Sequence, residues 1–115
     1  MATIVEKLLG QVQPDGSTTA VTLVAVQVNT TRILRNIFVC NTGGASQYSI
    51  YHGSASAGTA LFLNADISAS STAQIICYVP VEADGSAVMV KAANASQITF
   101  TGYGADIIES PYNIT

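Results

Sequence analysis

The sequence predicts an all-β fold: a two-sheet antiparallel β-sandwich of about eight strands, jelly-roll-like, with an immunoglobulin-like arrangement as the alternative. Three observations predict it. Turn signals recur at short spacing: Pro14-Asp15-Gly16-Ser17, Asn29-Thr30-Thr31, Asn41-Thr42-Gly43-Gly44, Gly53-Ser54, Asp84-Gly85-Ser86 and Asn94-Ala95-Ser96. The runs between them are rich in β-branched and aromatic residues, which suit a pleated, half-buried surface. No helical pattern of useful length follows residue 10, and the alternating rhythm of a parallel sheet is absent.

The segment Val5–Val12 admits two readings, because Ile4, Val5, Leu8 and Leu9 fit one face of a short helix as well as a first strand. Val21–Val28 alternates Val21, Leu23 and Ala25 against Thr22, Val24 and Val26. Arg32–Asn41 sets Ile33, Ile37 and Val39 on one face and Leu34, Phe38 and Cys40 on the other. Apolar residues on both faces predict a central strand. Tyr48–His52, Ala60–Leu63, Gln74–Val79, Ala87–Lys91 and Gln97–Tyr103 complete the series. Asp-Gly and Gly-Gly supply the positive φ angles that tight turns require.

The 115 residues suffice for one domain with its own core, so a single domain over 1–115 is expected. Its two ends, 1–13 and 105–115, are candidate docking arms. Pro111 ends any strand in the tail, while Ile107, Ile108, Tyr112 and Ile114 keep it apolar. A tail packed along its own domain is the plainer reading. The functional reading is an arm that reaches a neighbouring subunit, and removing Ala105–Thr115 is expected to weaken assembly more than folding.

Charged residues make up 10% of the chain, against about 25% in an average globular protein. The net charge is −3, and the basic residues Lys7, Arg32, Arg35 and Lys91 are scattered. Nucleic-acid binding runs on clustered cations and is not expected. The apolar runs fall far short of the ~20 residues that span a bilayer, so no membrane partner is expected. The start of the chain lacks the basic and apolar regions of a signal peptide, which predicts a protein made and kept in a cytoplasm. In that reducing setting Cys40 and Cys77 read as small buried hydrophobes, with a strand-to-strand disulfide as the alternative. A β protein with so few charges lacks the usual protection of its edges; either they are covered, or association is its purpose.

Residues for catalysis are scarce. His52 is the sole histidine, and Asp66, Asp84 or Asp106 would have to complete a triad around it. Gly53-Ser54-Ala55-Ser56-Ala57-Gly58 resembles a nucleophile elbow only in composition, since no helix pattern follows it. One histidine and two distant cysteines do not make a zinc site. Glu82-Ala83-Asp84-Gly85 offers a weak calcium alternative to an Asp-Gly turn. No phosphate-binding loop is present, and Gly102-Tyr103-Gly104 carries no dinucleotide signature. The triplets at Asn29, Asn94 and Asn113 match the glycosylation pattern, as chance predicts in a chain rich in Ser and Thr. The expectation is a non-enzyme with no cofactor and no metal.

The stretch Arg32-Ile33-Leu34-Arg35-Asn36-Ile37-Phe38-Val39-Cys40-Asn41-Thr42, leading into Gln47–His52, resembles a strand of small β-sandwich virion proteins of tailed bacteriophages. Val79-Pro80-Val81-Glu82-Ala83-Asp84-Gly85-Ser86 and the closing Gln97–Tyr103 are similar to theirs as well, so the resemblance spans about residues 17 to 104. Thr3–Gln13 departs from it. Among those proteins the capsid cement or decoration proteins come first. The resemblance implies a sandwich on the outer surface of the head shell, often a homotrimer, that stabilises the shell by bridging major capsid proteins. It also implies a structural protein of the virion, assembled in the host cytoplasm. A tail or baseplate adaptor that anchors fibres is the alternative within the particle.

From another class comes a carbohydrate-binding module, which would rely on Tyr48 or Tyr51 for stacking. Arg32 and Arg35 are the candidate charged anchors, with solvated strand ends as the plainer reading. Ile107, Ile108, Tyr112 and Ile114 are the candidate apolar contacts.

Overall fold

The first segment is a strand. In the computed structural model, which describes residues 2–15, 20–53, 57–82, 86–94 and 97–109, β1 (Ala2–Val12) pairs antiparallel with β8 (Ile98–Glu109), from Ala2 opposite Glu109 to Val12 opposite Phe100. Leu8 and Leu9, adjacent and both apolar, satisfy a helix face on paper. In the strand a bulge at Leu9 turns Leu8 outward and Leu9 into the core.

The remaining strands are β2 (Val21–Val24), β3 (Thr30–Asn41), β4 (Ser46–His52), β5 (Ala60–Ile67), β6 (Thr72–Val81) and β7 (Val88–Ala92). One sheet has the order β1-β8-β3-β6 and the other β2-β7-β4-β5. The pairs β1·β8, β2·β7, β3·β6 and β4·β5 are those of one long hairpin rolled over itself. Among the described connections only β4 to β5 stays within a sheet; every other one crosses to the opposite sheet. That is jelly-roll topology and not the immunoglobulin-like alternative.

Two elements depart from the sequence reading. The strand expected over Val21–Val28 ends at Val24, because the chain must leave one sheet for the other. It does so through a tight turn in which Gln27 bridges Thr30 and Asn29 takes φ 55°, a conformation asparagine tolerates better than most residues. In β3 a bulge at Arg35 shifts the alternation, so Leu34, Ile37 and Val39 all face the core.

The inner faces meet in a core of Leu9, Leu23, Val24, Leu34, Ile37, Val39, Tyr48, Ile50, Ile67, Val79, Val81, Val88, Val90, Ile98 and Phe100. Tyr48 of one sheet meets Phe100 of the other edge to face, with centroids 5.9 Å apart. The two glycines of Gly102-Tyr103-Gly104 belong to this packing. A Cβ on Gly102 would lie 2.9 Å from Leu34 Cδ1, and one on Gly104 would lie 3.0 Å from Leu9 Cδ1 and 1.9 Å from the Ile33 carbonyl oxygen. The absent side chains make room for the leucines that the two bulges bring inward.

One end is closed by Asn41, which is buried. Its amide donates to the carbonyls of Gly44 (2.9 Å) and Ser68 (3.0 Å), and its Oδ1 accepts from Gly43 N (3.1 Å). It thereby joins the β3–β4 and β5–β6 loops.

Candidate interaction surface

The outer face of the β1-β8-β3-β6 sheet carries exposed apolar side chains at Leu8, Ile76, Tyr78 and Tyr103; a second group, Leu61, Phe62 and Leu63, lies on β5 at the edge of the other sheet. Leu8, Tyr103, Asn36 and Ile76 are register partners in succession, so they form one row across all four strands. Ile76 is 81% exposed, and Tyr78, two residues on in β6, is 70% exposed. Tyr103 packs edge to face on Phe38 at 5.9 Å, which fixes its ring. Towards the next end the face turns polar and satisfies itself: Gln11 donates to Thr101 Oγ1 (3.0 Å), Gln13 to Thr99 Oγ1 (3.3 Å) and Gln74 to Asn36 Oδ1 (3.2 Å).

The bulges at Leu9 and Arg35 flank Tyr103 on either side. Between them lies an open depression of about 490 Å³, lined by Glu6, Lys7, Leu8, Arg35, Asn36, Tyr103 and Gly104. Arg35 Nη1 lies 3.9 Å from Glu6 Oε1, and both side chains are well exposed, so this pair contributes little to stability.

The two candidate arginines have different fates. Arg35 stands at the bulge, available on the outer face. Arg32 is turned towards the core side of the sheet, where its Nε comes within 3.1 Å of Asp106 Oδ1, off the line a hydrogen bond needs. Lys7 Nζ reaches the other oxygen of Asp106 at 3.6 Å. Arg32 Nη1 also donates to the Ala25 carbonyl at 3.4 Å. Arg32 is therefore spent inside the fold and is not a solvated strand end.

Ile107 and Ile108 lie in β8 beside the start of β1, opposite Ile4 and Thr3. With Ile4, Val5 and Ile108 exposed and Ile107 half-buried, this end of the sandwich is apolar. The two expected arms thus lie side by side, since Ala105–Glu109 continue β8 against β1. Tyr112 and Ile114 lie outside the described residues.

The residues weighed for chemistry are dispersed. His52 Nε2 donates to the Pro80 carbonyl at 2.9 Å and so ties the end of β4 to β6 of the other sheet. Among the described residues no three of His, Cys, Asp and Glu come together as a metal site. Residues 54–56 of the Gly53–Gly58 loop, and 83–85 of the calcium alternative, lie outside the described residues. Cys40 stands opposite Thr72, and Cys77 lies about 16 Å further along β6. A disulfide needs Cα atoms within about 7 Å, so the strand-to-strand alternative fails and both thiols are free. Burial pushes the Cys77 thiol up from its ordinary range. Tyr48 and Tyr51 are buried, so neither offers a ring for a sugar to stack on. No helix among the described residues is long and apolar enough to cross a membrane.

Sequence reasoning missed Ile76, Tyr78 and Leu8. Ile75-Ile76-Cys77-Tyr78-Val79 reads as a buried run because both of its faces are apolar. The available signal was the pairing of such a run with an edge position, which only the topology reveals.

No protein-family model matches the sequence, and no curated protein matches it. Among solved structures, the Tobacco streak virus coat protein, described as a dimer, superposes with a TM-score of 0.52 at 9% identity, over 99% of this chain and 89% of that one. The fold is a viral-capsid-like jelly roll. A chain of the infectious bursal disease virus Gx strain structure is similar with a TM-score of 0.50 at 8% identity, over 98% of this chain but 33% of that one. Identities this low carry the fold alone. The similarity is to coat-protein folds and does not single out the tailed-phage cement proteins.

Proposed function

We propose that this jelly roll is a structural, non-catalytic protein of a virion, and within that class a capsid cement or decoration protein that stabilises a head shell by bridging major capsid proteins. The observation that carries the reading is the viral-capsid-like topology joined to a sheet face and a sheet end left apolar. A charge-poor β surface of this kind is stable in company and a liability alone. The apolar end at Ile4, Val5, Ile107 and Ile108, with the tail that carries Tyr112 and Ile114, is the part that docks on the shell. Several copies acting together make modest single contacts sufficient. A homo-oligomer fits the same surface, and the similar plant-virus coat protein is itself described as a dimer. The phage resemblance on its own implies a trimer, the outer surface of the capsid and assembly in the host cytoplasm; the exposed sheet face supports a twofold pair of the free chain instead.

The reading is tested by adding purified protein to expanded shells that lack it, followed by electron microscopy. Binding at the boundaries between shell subunits, at on the order of hundreds of copies per particle, supports it. Failure to bind, or a position at the tail in a dozen copies or fewer, overturns the cement assignment, and the tail position points to the adaptor role.

A further inference from the structure

We propose that two copies of this chain pair through the outer face of the β1-β8-β3-β6 sheet about a twofold axis lying along β3, with Ile76 and Tyr78 of each copy seated in the depression at Tyr103 of the other. A twofold contact requires one surface to carry both the knob and the hole, so that each copy supplies what the other receives. This face does. The knob is Ile76 and Tyr78, 81% and 70% exposed on β6. The hole is the depression of about 490 Å³ over β8, opened by the bulges at Leu9 and Arg35.

Their spacing fits the operation. β3 lies between β6 and β8 in the sheet, with one on either side at ~4.8 Å. Rotation about an axis along β3 in the plane of contact sets β6 of one copy over β8 of the other. Ile76 and Tyr103 share a row through Asn36, so they also meet at the same height along the strands. The two sheets would then pack in the aligned manner usual for face-to-face sheets, ~10 Å apart.

Charge points to a second copy as the occupant. The chain carries a net charge of −3, yet this face does not share it. Glu6 beside the depression is matched by Arg35, so two facing depressions do not repel. Three strands of each copy, β8, β3 and β6, are opposed across this axis; at ~4.8 Å spacing and roughly ten residues at ~3.3 Å they give a contact of about 480 Å² per partner. That is smaller than the ~800 Å² per partner of a standard stable interface and belongs to a weaker pair, which forms at micromolar concentration. The self-satisfied glutamine and threonine rows beyond Phe38 supply a polar rim.

The test uses the full chain in sedimentation velocity over a range of micromolar concentrations. Wild type should sediment as a dimer. Ile76→Lys with Tyr78→Glu should raise the dimer dissociation constant by about 100-fold or more, as loss of central apolar anchors does. Circular dichroism should not change, because both side chains are exposed. Val28→Lys, an equally exposed apolar residue at the β2–β3 turn, should leave the dimer intact. A monomer at every concentration, an oligomer of odd order, or a dimer indifferent to the Ile76 and Tyr78 changes overturns the pairing. These outcomes concern the free chain, so the pairing and the shell-binding reading can fail independently.

Discussion

Asp106 sits buried between Arg32 and Lys7, 3.1 Å and 3.6 Å away, in a fold that has few charges to spare. Removing one partner of a buried pair strands the other, so Arg32→Ala or Asp106→Ala should lower stability by about 3–5 kcal/mol in urea denaturation. The paired change Arg32→Met with Asp106→Leu should recover most of that loss, because both desolvated charges go together. Glu6→Ala at the exposed Glu6–Arg35 pair should change stability by less than about 0.5 kcal/mol. Two arginines that read alike in sequence thus separate by an order of magnitude once their partners are known. Nothing local to Arg32-Ile33-Leu34-Arg35 distinguishes them, since the partner Asp106 is remote in the chain.

Tyr48 gives a pH prediction at the same scale. Burial pushes its phenol above the ordinary value of 10.0. Above that pH the unfolded chain ionises Tyr48 while the folded chain resists, so its contribution to stability is complete below pH 10 and is lost as pH rises through the folded value. Alkaline denaturation should be shallower in Tyr48→Phe than in wild type, a comparison that chemical denaturation at several pH values makes directly.

At the scale of elements, β8 carries the most consequence, pairing with β1 on one side and β3 on the other. Gly102→Val should cost about 1–3 kcal/mol by overpacking against Leu34 and Leu23, visible as a lower thermal midpoint. Removing Ala105–Thr115 would take Asp106 and the last ladder partners of β1 with it, so that truncation should cost folding as much as assembly. This reverses the expectation drawn from the sequence, where Ala105 looked like the start of a tail. Ile4→Asp should instead leave the melting temperature within a few degrees and weaken shell binding, because its side chain is exposed. Most strands were legible from alternation and turn chemistry, β3, β6 and the start of β8 among them. The helix-or-strand ambiguity of β1 persisted because Leu8 and Leu9 are split by a bulge, and bulges leave no mark on residue type. The end of β2 was likewise hidden, since Ala25 and Val26 keep alternating after the chain has left the sheet.

At the scale of the whole molecule, the rolled hairpin brings remote segments together and leaves the outer faces of its two sheets uncovered. The low charge announced that some surface would be covered by neighbours. Which surface was not legible, because outer residues such as Ile76 and Tyr78 sit in runs whose inner residues are equally apolar. The topology places those runs on one outer face beside Tyr103. In the account proposed above, that face pairs with a copy of itself and the apolar end docks on a shell. The most direct test of that account is the position of the protein on particles reconstituted from shells that lack it. Density at the seams between shell subunits, reached through the Ile4 and Ile108 end, is the predicted result. No bound density, or density confined to the tail, would contradict it.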